Sequence, residues 1–215
     1  PDLETGTASG EALGDRPFNV GLFLSIYVPY AEGPPFVADL YERDGWAAVG
    51  RAHDRPPAST AQLIHPDRYP ESEPIDVPIR DRSSDAWRPI GAGPNESGEP
   101  RTETIGEATL FATLWAHGVI DRSLTAGGTA RGPYNYSHPA TTGWAGDSFR
   151  VYRSASDADR VGHVWRLAWE DPTDGREFAD AYRDLLASRG AEPVDDAGAA
   201  EADVYRIPDD EPFAG

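Results

Sequence analysis

The stretch PPASTAQLIHPDRYP, residues 56–70, holds the side chains of this chain whose types and spacing come nearest to chemistry. An imidazole can pass a proton, ligate a metal or accept and donate hydrogen bonds, and His65 stands where a short helix must give way to Pro66. Ser59 with Gln62 three residues on, behind Pro56 and Pro57, has the form of a capping box, and Pro66 ends the helix. Only His65 and Tyr69 are left without a compulsory structural task. Two readings stay open: both side chains face a cleft and touch a ligand, or the imidazole fastens the helix end through a hydrogen bond.

Other constellations are sparse. The five histidines, at 53, 65, 117, 138 and 163, never come as H-E-x-x-H, the arrangement that sets two imidazoles and a general base on one zinc helix. A zinc site would have to be assembled in space, so no metal ligand and no cofactor is assigned to this chain. G-x-S-x-G, G-x-G-x-x-G and the phosphate loop are absent, and no catalytic residue is assigned. Asp171, Asp174 and Gly175 imitate the start of a calcium loop, but the later spacing fails and helix capping accounts for them. Arg131, Tyr134, Tyr136, His138 and Trp144 either line a carbohydrate or peptide cleft or clamp an aromatic loop on the core. Asn95 and Asn135 lie in N-x-S sequons, acceptors of glycans if the chain is exported.

The surface must be strongly acidic. Thirty-seven Asp and Glu face nineteen basic residues, all of them Arg, for a formal charge of −18. Such a surface repels nucleic-acid phosphates and anionic headgroups. Salt relieves its self-repulsion, because the Debye length falls from about 30 Å at 0.01 M to about 3 Å at 1 M. The composition points to a high-salt environment with inorganic cations as companions, although a GC-rich genome would also favour Arg, Ala, Gly, Asp and Pro. Pairs such as Asp195-Asp196 and Asp209-Asp210 read as part of that solvated surface. There is no cysteine, hence no disulfide, and no run approaches the ~18 apolar residues of a membrane-spanning helix. Methionine is also absent, so the chain from Pro1 is expected to be a processed or trimmed part of a longer precursor.

The elements that must position these residues follow from periodicity. Residues 1–17 are small and polar and read as a flexible arm. Residues 18–30 are apolar, strand or helix, and Pro29 should stop a helix. A helix with Phe36, Val37, Leu40, Tyr41, Ala47, Ala48 and Val49 follows, with Gly45 as a candidate kink. Residues 71–103 form a proline-rich surface connection with Ile75, Val77 and Ile79 extended. Thr104 and Glu107 suggest a second capping box for a helix ending at Gly118, and a short helix is expected over 137–145. Residues 148–154 and 160–170 alternate as two strands, whose Trp165/Trp169 face should pack on a helix carrying Phe178, Ala181, Tyr182, Leu185 and Leu186, capped by Asp174 and Glu177. VYRI, residues 204–207, is a further strand candidate. The expected fold is α+β, mainly helical with one small antiparallel sheet near the C-terminus. It divides into the arm, a helical lobe over 18–150 and a β-α-β element over 151–215 packed on it as one unit.

The order of words PYAEGPPFVADLYERDGWAAVGRAHDRPPASTAQLIHPDRYP, TIGEATLFATLW, GWAGDSFRVY, VWRLAWEDPTDGREFADAYRDLL and PFAG resembles an uncharacterised family of haloarchaeal surface proteins and their bacterial relatives. That family is similar to divergent thermolysin-type (gluzincin) metallopeptidases. The most specific word is PP-x-S-T-x-Q-x-x-H-P-x-x-Y, here Pro56, Pro57, Ser59, Thr60, Gln62, His65, Pro66 and Tyr69. The resemblance implies a C-terminal lobe at the cell surface or outside the cell, whose zinc helix and glutamate ligand belong to an earlier segment of its precursor. Zinc is then implied only through that segment, and no hydrolysis is expected of this chain alone. The alternative is a non-enzymatic cell-surface binding or structural module. Glu32-Gly33 copies the Glu-Gly word of the third-ligand helix but falls within a later word, and does not take that role.

Overall fold

The computed structural model describes residues 19–91, 102–194 and 203–208. The fold is α+β. Its spine is α1, Val20–Asp54, opened by Asn19, whose side chain accepts the amide of Leu22 at 2.9 Å. The helix runs through Pro29, Pro34 and Pro35, against the expectation that Pro29 stops it. Pro29 and Pro34 sit on the exposed side, where water can take over the carbonyls they deprive of donors, and the buried side, Leu24, Val28, Ala31, Phe36 and Leu40, holds the helix on course. It kinks at Asp44 and Gly45; the latter has φ +56°, a conformation that glycine adopts without strain.

Next come α2, Thr60–Ile64, a 3₁₀ turn over Pro66–Arg68, and β1, Trp87–Ile90. Then follow α3, Glu107–Ala116, β2, Trp144–Ser154, β3, Val161–Trp169, and α4, Pro172–Ser188. The strands make an antiparallel sheet in the order β1-β2-β3, with a bulge between Trp144 and Gly146. A second, two-stranded piece pairs β4, Glu192–Pro193, with β5, Tyr205–Arg206, which places the VYRI candidate.

Several local expectations shift. The 71–103 connection supplies β1, and Pro89 is tolerated there because β1 is a sheet edge. Residues 137–145 contain a turn around His138, whose carbonyl accepts the amides of Thr141 and Thr142, and no helix. The last helix is capped by Asp171 and Asp174, three residues before the expected pair. Ser59 is the residue before α2 but makes no side-chain cap bond; Gln62 reaches back to the amide of Ala58 instead. The expected division at 150/151 falls inside β2. One core takes Leu24 and Val28 from α1, Phe111 and Leu114 from α3, Tyr136, Trp144, and Phe178 and Leu185 from α4. Trp165 and Trp169 meet Phe178 as the strand pattern requires, with ring centroids 6.1 and 5.1 Å apart.

Arg122 ties the loop after α3 to this core. Its guanidinium lies over the Phe111 ring and donates to the carbonyls of Ser123, Ala126, Asn135 and Ser137. Arg122→Lys keeps the charge and loses the fork, so the urea midpoint should fall by the equivalent of about 2–3 kcal/mol. A change below about 0.5 kcal/mol, the usual size for a surface substitution, would remove this role.

Candidate functional site

Helix α3 is apolar apart from Glu107, Thr109 and Thr113, with Ala108, Leu110, Phe111, Ala112 and Leu114 all buried, and a helix so largely apolar belongs in the interior. Its first residue is drawn in with it. Glu107 is 0% exposed, and its Oε1 lies 2.8 Å from His65 Nε2. The helix start is fixed by groups from outside α3. Gly106, at φ +79°, precedes the helix without a capping side chain, and Thr60 Oγ1 accepts the amide of Ala108 instead. Asp147 of β2 receives the amides of Ile105 and Gly106 and the indole N–H of Trp165.

Glu32, buried on the inner side of α1, approaches the same place and accepts the amide of Tyr136 at 3.1 Å. Tyr136 is itself fully buried and donates its hydroxyl to the Leu24 carbonyl. Burial pushes both carboxyls above the ordinary Glu range. At Glu107 the His65 bond opposes this, and at Glu32 the Tyr136 amide does so. Each carboxylate also raises the other or feels a further acid: Glu107 acts on Glu32, and Glu170 on Glu107. Arg68, bonded to Glu170 at 3.0 Å, is the nearby fixed positive charge that favours ionised Glu107. Glu107 Oε2 has no hydrogen-bond partner.

Chemically this is a buried carboxylate–imidazole pair with a second buried carboxylate nearby. A buried carboxylate fixes the imidazole through Nε2, while Nδ1 makes no hydrogen bond to the described residues. That is how an imidazole is held in one orientation for proton transfer or ligation. The same bond fastens the end of α2 to the start of α3, the hydrogen-bonded arrangement that the second reading of His65 describes. Among the described residues no three His, Asp or Glu side chains are grouped to hold a metal ion, and no helix is long and apolar enough to cross a membrane.

The other sequence candidates lie elsewhere. Tyr69 is buried against Phe36, with its hydroxyl on the Arg55 carbonyl. Tyr134 meets Tyr27 edge to face. His138 accepts the amide of Ala140 through Nδ1, and burial together with Arg122 lowers its pKa. Asn135 donates to the Ala126 carbonyl and accepts the Ser137 amide, so its side chain is part of the loop. Asn95 and the acid pairs Asp195-Asp196 and Asp209-Asp210 lie outside the described residues.

Arg131 is exposed and pairs with Glu42 at the rim of a groove of about 700 Å³. Gly33, Pro34, Val37, Tyr41 and Trp46 line it. The groove continues an apolar stripe along the outer face of α1, formed by Leu22, Ile26 and Tyr30. Trp46 reaches that face because the kink at Gly45 turns its ring edge-on to Tyr41.

Fold and site together define a helix-dominated α+β protein with a buried carboxylate–imidazole cluster on one side of α1 and an apolar groove on the other. Residues 92–215 match the family model described as Domain of unknown function (DUF8575), more than half of the chain, and the chain belongs to that family. The match takes in Glu107, Asp147 and Arg131 and begins after Glu32 and His65. No curated protein and no solved structure matches the chain.

Proposed function

We propose that this chain is the non-catalytic lobe of a larger salt-adapted protein of the cell surface, built like the C-terminal lobe of a zinc metallopeptidase, and that the outer face of α1 seats the remaining part of its precursor. One observation carries this reading: the apolar stripe of α1. Ile26, Tyr30 and Trp46 are 66%, 74% and 74% exposed, with Leu22, Val37 and Tyr41 beside them. These six side chains expose on the order of 800 Å². An ordinary monomer leaves apolar patches of about 300–600 Å², and a stable interface takes about 800 Å² from each partner. In so acidic a chain, apolar burial is also the form of association that salt strengthens. Zinc and its ligands would come from the precursor segment, in keeping with the sequence words shared with the metallopeptidase-like surface proteins.

Hydroxyl-radical footprinting of the precursor against the isolated chain tests this. Tyr30 and Trp46 should be protected several-fold in the precursor, and Ile26→Asp with Tyr30→Asp should abolish the protection of Trp46 while leaving the isolated chain's stability within about 0.5 kcal/mol. Zinc should be found in the precursor and not on the isolated chain. Equal labelling in both forms, or one equivalent of zinc on this chain alone, would overturn the proposal. The charged rim formed by Arg131 and Glu42 favours a second reading, a surface binding module whose groove takes a segment of a separate protein. Protection would then appear only when that protein is added.

A further inference from the structure

The string that opens α2 borders a small cavity. About 120 Å³ in volume, it lies between Ser59 and Ala61, the segment from Ser72 to Ile75, the start of β2 at Trp144 and Ala145, and the Arg68–Glu170 pair. Two of its walls carry buried polar atoms with no partner: Trp144 Nε1, in a side chain 2% exposed, and Ser59 Oγ. An indole N–H can only donate, and a buried donor left unmade costs about 1–3 kcal/mol. The two carboxylates on the cavity wall bond elsewhere, Glu170 to the guanidinium of Arg68 and Glu73 to that of Arg55. The fixed charges around the cavity are therefore paired, and neither carboxylate takes the Trp144 N–H.

The geometry points to a binding site for a small monovalent anion, a halide or a carboxylate the size of formate or acetate, held by Trp144 Nε1 and Ser59 Oγ with Arg68 as the adjacent positive charge. The volume sets the class. Room equal to about four liquid-water volumes holds these ions whole, and a sugar acid such as gluconate does not fit within it. The field of a chain with charge −18 opposes any anion in dilute buffer, but it is screened within about 3 Å at 1 M salt, so the site fills as salinity rises. Anion binding then adds to folding by mass action, separately from ionic strength. This site does not depend on the reading of the α1 face.

Thermal unfolding of the chain in sodium chloride, bromide, formate and gluconate, each at about 1 M, separates site binding from screening. In the wild-type chain the small anions should raise Tm over gluconate by about 3–5 °C, the shift expected for a ligand at ten times its Kd. Trp144→Phe keeps the ring and removes the N–H, and should bring chloride and gluconate together. Ser59→Ala should do the same in part, with its gluconate Tm unchanged or higher. Halides acting without formate would restrict the site to halide, and formate acting alone would restrict it to carboxylate. Equal Tm in chloride and gluconate, meaning water only, overturns the proposal; so does an anion difference that survives both substitutions. Should Trp144→Phe not fold, Ser59→Ala and a bromide-soaked crystal decide: an anomalous peak between Ser59 and Trp144 supports the site, and a clean map refutes it.

Discussion

Replacing Glu107 by alanine should destabilise the protein by about 3–5 kcal/mol, the range seen when one partner of a buried pair is removed. Glu107 is wholly buried and holds His65 Nε2 at 2.8 Å, so truncation leaves a cavity in a packed helix start and an imidazole without its partner. Glu107→Gln should cost less than about 1.5 kcal/mol, because the amide fills the same space and still bonds the ring while shedding a charge that burial opposes. Urea unfolding of the two variants checks this. A Gln variant as damaged as the Ala variant would show that the ionised form is required.

The same pair fixes a pH dependence. A carboxyl whose folded pKa is raised binds its proton more tightly when folded, so stability falls as pH rises from its ordinary value, 4.5, through the raised folded value. Glu32 and Glu107 both contribute in this sense. Asp81 and Asp171, with folded pKa values lowered by bonds to Ser83 and Thr173, act in the opposite sense, but both are exposed and weigh little. Between about pH 5 and 7 the Glu32→Gln, Glu107→Gln double variant should therefore lose less stability with rising pH than wild type.

How much of this was legible in the sequence depends on the distance over which each signal acts. The pattern of Trp165, Trp169 and Phe178 is local and periodic, and the strand–helix packing followed from it. Gly45 as a kink and Gly118 and Gly190 as helix ends are single-residue conformational signals, and all three have positive φ. Pro29 misled because a proline stops a helix only when its neighbours cannot hold the two halves in line; here a buried stripe on the far side of α1 does so, and that stripe is defined by α3 and Tyr136, about eighty residues and more away. β1 was hidden for a related reason, since its pairing with β2 lies in residues over sixty positions on.

The site was half visible. His65 stood out by type and by its place before Pro66, but its partner had been explained as a capping residue. The available signal was the helix that follows: TLFATLW is largely apolar with only two threonines, and an acid on the first turn of such a helix is drawn inside with it. Glu32 gave no comparable hint, because only the tertiary approach of the Tyr136 amide makes its burial tolerable. Asp147 is a strand residue that holds the two amides just before a distant helix, a role no local pattern encodes.

The largest solution effect should come from salt. With 37 acidic residues and 19 arginines, at least 18 carboxylates (37 − 19) lack an arginine of their own whatever the arrangement. The exposed pairs, such as Asp39–Arg43 and Arg183–Asp180, are of a kind worth little. Spread over a globule of about 17 Å radius of gyration, 18 excess charges make roughly 150 repelling pairs at about 0.2 kcal/mol each in pure water, on the order of 30 kcal/mol in all. A Debye length of about 10 Å at 0.1 M leaves roughly 4 kcal/mol of this, and about 3 M removes nearly all of it. The unfolded chain is more expanded and repels itself less, so most of the difference appears as stability. Urea midpoints should therefore rise by the equivalent of about 2–4 kcal/mol between 0.1 and 3 M NaCl, with most of the gain complete by about 1 M, where screening saturates. A gain that keeps climbing beyond 1 M and follows the kosmotropic order of the salts would belong to apolar burial instead. Equal stability at the two ends would mean that the arginine-only, acid-rich composition is a matter of codon usage and not of the solvent in which the protein folds.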